Sequence, residues 1–312
     1  LPPPIRPTAP TMSTAAAPHS APSAPPKPGL LEQHHFLLRR LHSLTGVVPI
    51  GVFVIFHLFT NAQMLWPDKF QHEVEFIHNM PALLWIEIFV LWLPIAFHAG
   101  LGIAYTATGK GNVPRYSYLD NVRYMLQRVT GIAALIFIFV HIATLRWGWN
   151  ILGWYTPFYV SAVNDAGQTL VANTAGEPIG LTAMSVAAAF QGGIDGGSAF
   201  GSFLIVVFYL VGALSIVYHW SNGLWTAAIS WGVTISKAAQ RRFGVFCVGL
   251  GAALTVFTIT AVWASVTYQP KPAEALAYKM LAQTRGEVTL AAFQEEAKKE
   301  GVDLSEPIAA GH

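Results

Sequence analysis

Ile136-Phe-Ile-Phe-Val-His141-Ile-Ala143 places one ionisable ring in the middle of an unbroken apolar run. Three more stretches repeat the pattern: Val52-Phe-Val-Ile-Phe-His57-Leu-Phe59, Leu93-Pro-Ile-Ala-Phe-His98-Ala-Gly100 and Leu214-Ser-Ile-Val-Tyr-His219-Trp220. An ionisable side chain at membrane depth is expensive, and it marks function by default. One such histidine would read as an interhelical hydrogen bond. Four, each in its own run, ask for a shared partner.

The surrounding composition fits that setting. Of 312 residues, 53% are hydrophobic and 11% charged, against about 25% charged in soluble domains. The net charge of +2 gives no reason to expect a nucleic-acid partner. The 10 Trp, 10 Tyr and 19 Phe suit interfacial belts and flat ring systems. The fold class expected is all-α, an integral membrane bundle of five transmembrane helices.

Histidine in facing membrane helices is the ordinary axial ligand of a b-type haem. Four ligands make two bis-histidine haems, so the cofactors expected are two haem b, with iron held by His57, His98, His141 and His219. The single cysteine, Cys247, excludes an internal disulfide, an iron–sulfur cluster and covalent haem attachment. No G-x-G-x-x-G follows a strand and no P-loop is present. Any flavin, nicotinamide or nucleotide chemistry must therefore sit on partner subunits.

Along the chain, residues 1–29 are rich in Pro, Ala and Ser and read as a disordered tail. The membrane domain covers 30–268. Its helices are expected at about Leu41–Ala62, Pro81–Tyr105, Tyr124–Trp147, Ser198–Asn222 and Phe243–Tyr268, each near the ~20 residues that cross ~30 Å of hydrocarbon. Glu32 to Arg40 is an amphipathic lead-in, and Pro94 should distort the second helix before His98. A long loop, about 148–197, carries Gly, Asn, Ser and Thr without strong periodicity. Residues 269–312 form a polar C-terminal tail with helix-like spacing of Ala275, Leu276, Met280 and Leu281.

Basic residues set the expected orientation. Arg39, Arg40, Lys110, Arg115, Arg123, Arg128, Lys237, Arg241 and Arg242 all fall on the side of the N-terminus, with Lys69 and Arg146 in the opposite loops. The positive-inside rule then puts the N-terminus in the cytoplasm and the C-terminus outside. Depth pairs the ligands. At about 1.5 Å per residue, His57 and His141 reach the outer half of their helices, and His98 and His219 reach the inner half. The pairing expected is an outer haem on His57 and His141 and an inner haem on His98 and His219. A weak internal repeat agrees: Thr45-Gly46 precedes His57 as Thr130-Gly131 precedes His141, and Gly102 follows His98 as Gly223 follows His219. The glycine after each inner ligand leaves room for a porphyrin face, unless it reflects only the frequency of glycine in membrane helices. Arg39, Arg40, His42 and Ser43 at the inner end suit haem propionates, or express the topology rule alone.

His219-Trp-Ser-Asn-Gly-Leu-Trp-Thr226, followed by Trp231-Gly232, resembles the cytochrome b558 subunits of succinate dehydrogenase and fumarate reductase, the five-helix, two-haem class of membrane anchor. Arg40-Leu-His42-Ser43-Leu-Thr-Gly46, followed by His57, resembles the same family, and the likeness covers about Phe36 to Tyr268. It implies the same ligand pairing, a multi-pass place in a bacterial cytoplasmic membrane, and docking of a flavoprotein subunit (FAD) and an iron–sulfur subunit at the cytoplasmic face. It also implies electron flow from succinate through the haems to a membrane quinone. Two features depart from the better-known members: the long loop and tails, and the absence of a carboxylate beside His219, where Val217 and Tyr218 stand. Other readings are a dihaem cytochrome of a nitrate reductase or formate dehydrogenase, and a haem-free anchor or transporter; Asn222-Gly223-Leu224-Trp225 argues against the first. A quinone at the far end of such a wire would need proton donors. The candidates are His72, Glu73 and Glu75, with Trp66 and Trp85 as apolar walls, against the alternatives of a merely solvated loop and of a site beside the inner haem using Ser43 and His42.

Overall fold

The computed structural model describes residues 33–109, 111, 113–151, 154, 156–193 and 199–304. The Pro/Ala/Ser-rich tail of 1–29 and Lys110 lie outside the described residues. Among the described residues the chain is all-helical, and five helices are long and apolar enough to cross a membrane. They are α1 (His35–Leu65), α3 (Leu83–Thr108), α4 (Leu119–Leu145), α6 (Ala199–Ser230) and α7 (Lys237–Thr267). Shorter helices are α2 (Pro67–His78), α5 (Thr182–Phe190), α8 (Pro272–Thr284) and α9 (Leu290–Glu300).

The long helices outrun the apolar runs that announce them. Helix α1 begins at His35 because the lead-in through Arg40 is itself helical; its exposed Phe36 and Leu37 and its arginines suit an interface. Helix α6 runs eight residues past Asn222 to Ser230, since Gly223 alone costs a helix only about 1 kcal/mol. Stops come from stronger signals. Gly232 turns the chain at φ +75°, and the Ser236 hydroxyl accepts from the Ala239 N–H at 3.1 Å to start α7. The two prolines inside long helices each accompany a wide π-type turn, Gly46–Ile50 around Pro49 and Glu87–Trp92 ahead of Pro94. A missing N–H lets the ladder slip to the next carbonyl. Both turns lie within a few turns of a histidine, His57 in one helix and His98 in the other.

Packing is up-and-down. Helices α4 and α6 run along each other, α6 also lies on α7, and α7 on α1, while α3 meets α1 at its wide turn and α4 beside it. One end gathers the start of α1, the end of α6 and the start of α7: Trp231 Nε1 donates to Ser43 Oγ at 2.8 Å, and Trp225 Nε1 to the Gln240 carbonyl at 2.9 Å. We call this the amino end.

The opposite end carries a cap. The loop residues Ala162, Leu170, Val171, Ile179 and Leu181 share one buried cluster with Leu276, Tyr278, Leu281, Val288, Phe293 and Ala297 of the tail. Leu181, Leu281 and Phe293 are fully buried, each stabilising the cap by roughly 1.5–3 kcal/mol. Isolated antiparallel bridges, Ser161 with Gly180, Val163 with Thr169 and Ala172 with Pro178, tie the loop locally. Two glutamines fasten the cap to the bundle. Gln71 of α2 donates to the Val160 carbonyl at 2.8 Å and accepts from both the backbone N–H and the hydroxyl of Thr182. Gln191 donates to the carbonyls of Ser265, at 3.1 Å, and Tyr268, at 2.9 Å, at the end of α7.

Candidate functional site

The four histidines stand in two pairs. At the cap end, His57 of α1 and His141 of α4 have ring centres 5.9 Å apart, crossed at 76°. At the amino end, His98 of α3 and His219 of α6 are 6.0 Å apart, crossed at 86°. An imidazole nitrogen sits about 2 Å from a metal it ligates. Two rings sharing one ion therefore have centres roughly 6 Å apart, as both pairs do.

The amino-end pair is oriented by main chain. His98 Nδ1 donates to the His42 carbonyl at 2.9 Å, and His219 Nδ1 donates to the Gln127 carbonyl at 2.9 Å. With Nδ1 protonated, Nε2 keeps its lone pair free. A hydrogen-bond acceptor on the far ring nitrogen is the usual mark of a metal-ligating histidine. The cap-end pair uses side chains: His141 Nδ1 lies 3.2 Å from the Tyr209 hydroxyl, and Asn61 Nδ2, one turn beyond His57, lies 3.5 Å from His57 Nε2 and donates to its carbonyl at 2.7 Å. Phe53 and Phe137 lie near-parallel to His57 and His141, with ring centres 5.1 and 5.5 Å away, and shield that pair from water.

Glycine lets the neighbouring helices reach these rings. A methyl at Gly46 would stand 2.8 Å from His98 Nδ1, and one at Gly131 would stand 2.8 Å from His219 Cε1. Gly102 and Gly223 face His42 and Gln127 instead, at 3.5 and 3.4 Å. So the adjacent helix, too, needs a glycine where it passes His98 and His219, because a side chain reaches across to its neighbour as well as along its own axis. The repeat also extends to the acceptors, with His42 four residues before Gly46 and Gln127 four before Gly131. That spacing is a signal from which Gln127 was legible.

Gln127 is the hub of a half-buried chain. Its amide donates to the His219 carbonyl at 3.0 Å, it accepts from Asn222 Nδ2 at 2.7 Å, and Asn222 Oδ1 accepts from Arg123 Nε at 2.9 Å. The Arg123 guanidinium lies 3.8 Å over the Trp225 ring. Tyr209, Asn61 and Tyr105 carried no sequence motif of their own.

The remaining candidates at the amino end collect around His42. Its ring stacks on His98 at 3.9 Å and 9° and meets Tyr105 edge-on at 5.6 Å. Arg39 lies 5.5 Å over Tyr105, and Arg40 lies 4.2 Å over Phe36. Ser43 Oγ donates to the Arg40 carbonyl at 3.0 Å besides accepting from Trp231. Arg40 Nε, His42 Nδ1 and Tyr105 Oη are buried without a hydrogen-bond partner among the described residues. Unpaired polar atoms on α1 and α3 near a ligand pair leave donors for a carboxylate-bearing group.

At the cap end, a hollow of about 480 Å³ is lined by His72, Glu75, Phe76, Asn79, Met80 and Pro81. The structure brings His72 and Glu75 together there, with Glu75 also accepting from Gln71 at 2.6 Å. Glu73, Trp66 and Trp85 are not among the lining residues. Trp66 lies under the Lys69 ammonium at 5.3 Å, and Trp85 stacks on Phe89 at 6.0 Å.

No family model matches the chain. It is 32% identical over 232 residues to the succinate dehydrogenase cytochrome b558 subunit of Bacillus subtilis (strain 168), a match covering 74% of this chain and 97% of that protein.

Proposed function

Since the chain belongs to the succinate dehydrogenase cytochrome b558 subunit family, a multi-pass membrane part of an oxidoreductase complex, we propose that it holds two haems b and passes electrons from soluble partners to a membrane quinone. The observation that carries this is the two crossed histidine pairs, with ring centres 5.9 and 6.0 Å apart. Bound haems supply reversible one-electron chemistry. Everything else is done by side chains and main chain of this protein.

His98 and His219 hold one haem, and the His42 and Gln127 carbonyls fix their rings. His57 and His141 hold the other, dry behind Phe53 and Phe137. Arg40, His42 and Tyr105, with Arg39 and Ser43 close by, neutralise propionates at the amino end. A flavoprotein subunit carrying FAD and an iron–sulfur subunit dock at that end, on Arg39, Arg40, Arg115 and Arg123, which faces the cytoplasm by the charge rule. Quinone takes up two electrons and two protons. His72 and Glu75, which line the cap-end hollow, deliver those protons, with half-buried Glu73 as a further candidate and Trp66 and Trp85 as apolar walls.

The test is spectroscopic. The membrane complex should show two b-type components on reduction. His98→Ala or His219→Ala should remove one, and His57→Ala or His141→Ala the other. Loss of the same component from His57→Ala and His98→Ala, or no b-type band at all, refutes the reading. A reporter after Arg242 should be cytoplasmic and one near Asn164 external. For the quinone site, the Glu73→Gln/Glu75→Gln double variant should lose quinone reduction while keeping artificial-dye reduction and both haems; unchanged quinone reduction removes these acids from the site.

A further inference from the structure

One side chain of the cap reaches the neighbourhood of a ligand. Phe190, the last residue of α5, is buried with Ala189 against Phe137, Tyr209 and Val262. Its ring centre is 4.5 Å from that of Tyr209. Trp154, from the loop before the cap, meets the same ring at 5.9 Å, and Phe137 meets it at 5.2 Å. Tyr209 is 7% exposed, and its hydroxyl lies 3.2 Å from His141 Nδ1. Aromatic rings thus fix the tyrosine on several sides, and its one polar atom is aimed at a histidine.

This contact differs in kind from those at the amino end. His98 and His219 donate to main-chain carbonyls, whereas His141 Nδ1 faces a side-chain hydroxyl, which accepts from it when Nε2 holds the metal. The hydroxyl stays in place only while the Tyr209 ring does, and Phe190 is the cap's hold on that ring. The cap in turn is pinned by Gln71 at the start of α5 and by Gln191 just past its end.

We propose that Tyr209 is a positioning residue for His141 and that the cap, through Phe190, keeps it there. The proposal rests on the dihaem reading. An acceptor on the far nitrogen raises the basicity of a metal-bound imidazole and favours the ferric ion. The cap then tunes the cap-end haem without touching it.

The test uses the whole complex, with the cap-end component identified as the one lost in His57→Ala. Tyr209→Phe keeps the ring and removes the acceptor. At a fixed redox poise, the ferric-to-ferrous ratio of the cap-end component should fall by about threefold to tenfold, the size expected for one hydrogen bond. Its low-spin ferric EPR signal should move, with haem content and the other component unchanged. Phe190→Ala keeps the hydroxyl but releases the ring, and should broaden the same EPR signal and shift the ratio in the same direction by less. Unchanged spectra and ratio in Tyr209→Phe overturn the proposal, as does an equal change in both components or loss of both haems, which would make Tyr209 a packing residue. A wild-type complex without two b-type components fails at an earlier step and refutes the dihaem reading instead.

Discussion

Replacing Gly46 with alanine tests the close approach of α1 to His98. The new methyl would stand 2.8 Å from His98 Nδ1 and nearer still to Cε1. Non-bonded carbons settle at about 3.5–4.0 Å, so the ring must retreat by about 1 Å. That ring is held by a 2.9 Å hydrogen bond to the His42 carbonyl and stacked at 3.9 Å on the His42 ring. A retreat of about 1 Å carries the donor beyond hydrogen-bond range. Overpacking costs about 1–3 kcal/mol, and the broken bond about 1 kcal/mol more. At about 1.4 kcal/mol per tenfold, the ring keeps its orientation at least tenfold less often. Gly46→Ala should therefore insert in the membrane with the His98/His219 component depleted, and with the His57/His141 component intact. Gly131→Ala is the internal control. Its methyl would meet His219 at 2.8 Å and 3.1 Å, so the same loss should appear in milder form. Haem per polypeptide and low-temperature reduced-minus-oxidised spectra measure both. Two unaltered components in Gly46→Ala, or greater damage from Gly131→Ala, would refute the reasoning.

Asn222→Leu removes the link between Arg123 and Gln127, and should alter the EPR signal of the His98/His219 component while leaving the other alone; spectra identical to wild type would reduce Asn222 to packing. Gln71→Ala deletes one acceptor and one donor that tie the cap to α2, at about 2–3 kcal/mol in all, so limited proteolysis should cut the cap several-fold faster than in wild type. Burial raises the Glu274 carboxyl above its ordinary 4.5, against hydrogen bonds from the Tyr268 hydroxyl and the Lys271 N–H. The folded state then holds this proton more tightly than the unfolded one, so stability is greatest below 4.5 and declines as pH rises through the raised folded value. Glu274→Gln cannot ionise and should flatten that decline in thermal unfolding measured across the window; an unchanged pH profile would show that Glu274 does not contribute.

The five long helices and the two histidine pairs were legible because they rest on run length and depth, which are properties of single segments. Helix ends were less so. The interface residues before Leu41 are polar enough to hide a helix from a hydropathy reading, and Gly223 after Asn222 interrupts the pattern without ending the helix, so the backbone continues through both. Of the cap, only α8 was legible, in the helix-like spacing of Ala275, Leu276, Met280 and Leu281; its packing on the loop was not. Leu170 and Ile179 show no periodicity of their own and are buried only by Leu276, Leu281 and Phe293, about a hundred residues later. Tyr209 escaped for a similar reason, since a tyrosine in an apolar helix looks like packing until His141 is placed beside it. Gln127 is the exception, because the interval from Gln127 to Gly131 copies that from His42 to Gly46.

The acceptors at positions 42 and 127 belong to the main chain, and every residue type carries the same carbonyl. Substitution there changes what flanks a ring but cannot delete its anchor. One half of the repeat now holds an imidazole at this position and the other an amide, and both rings keep a 2.9 Å bond. The grip on His98 and His219 thus does not depend on which side chains stand at 42 and 127, and those side chains are left to other work: the His42 ring lies against His98, and the Gln127 amide joins His219 to Asn222.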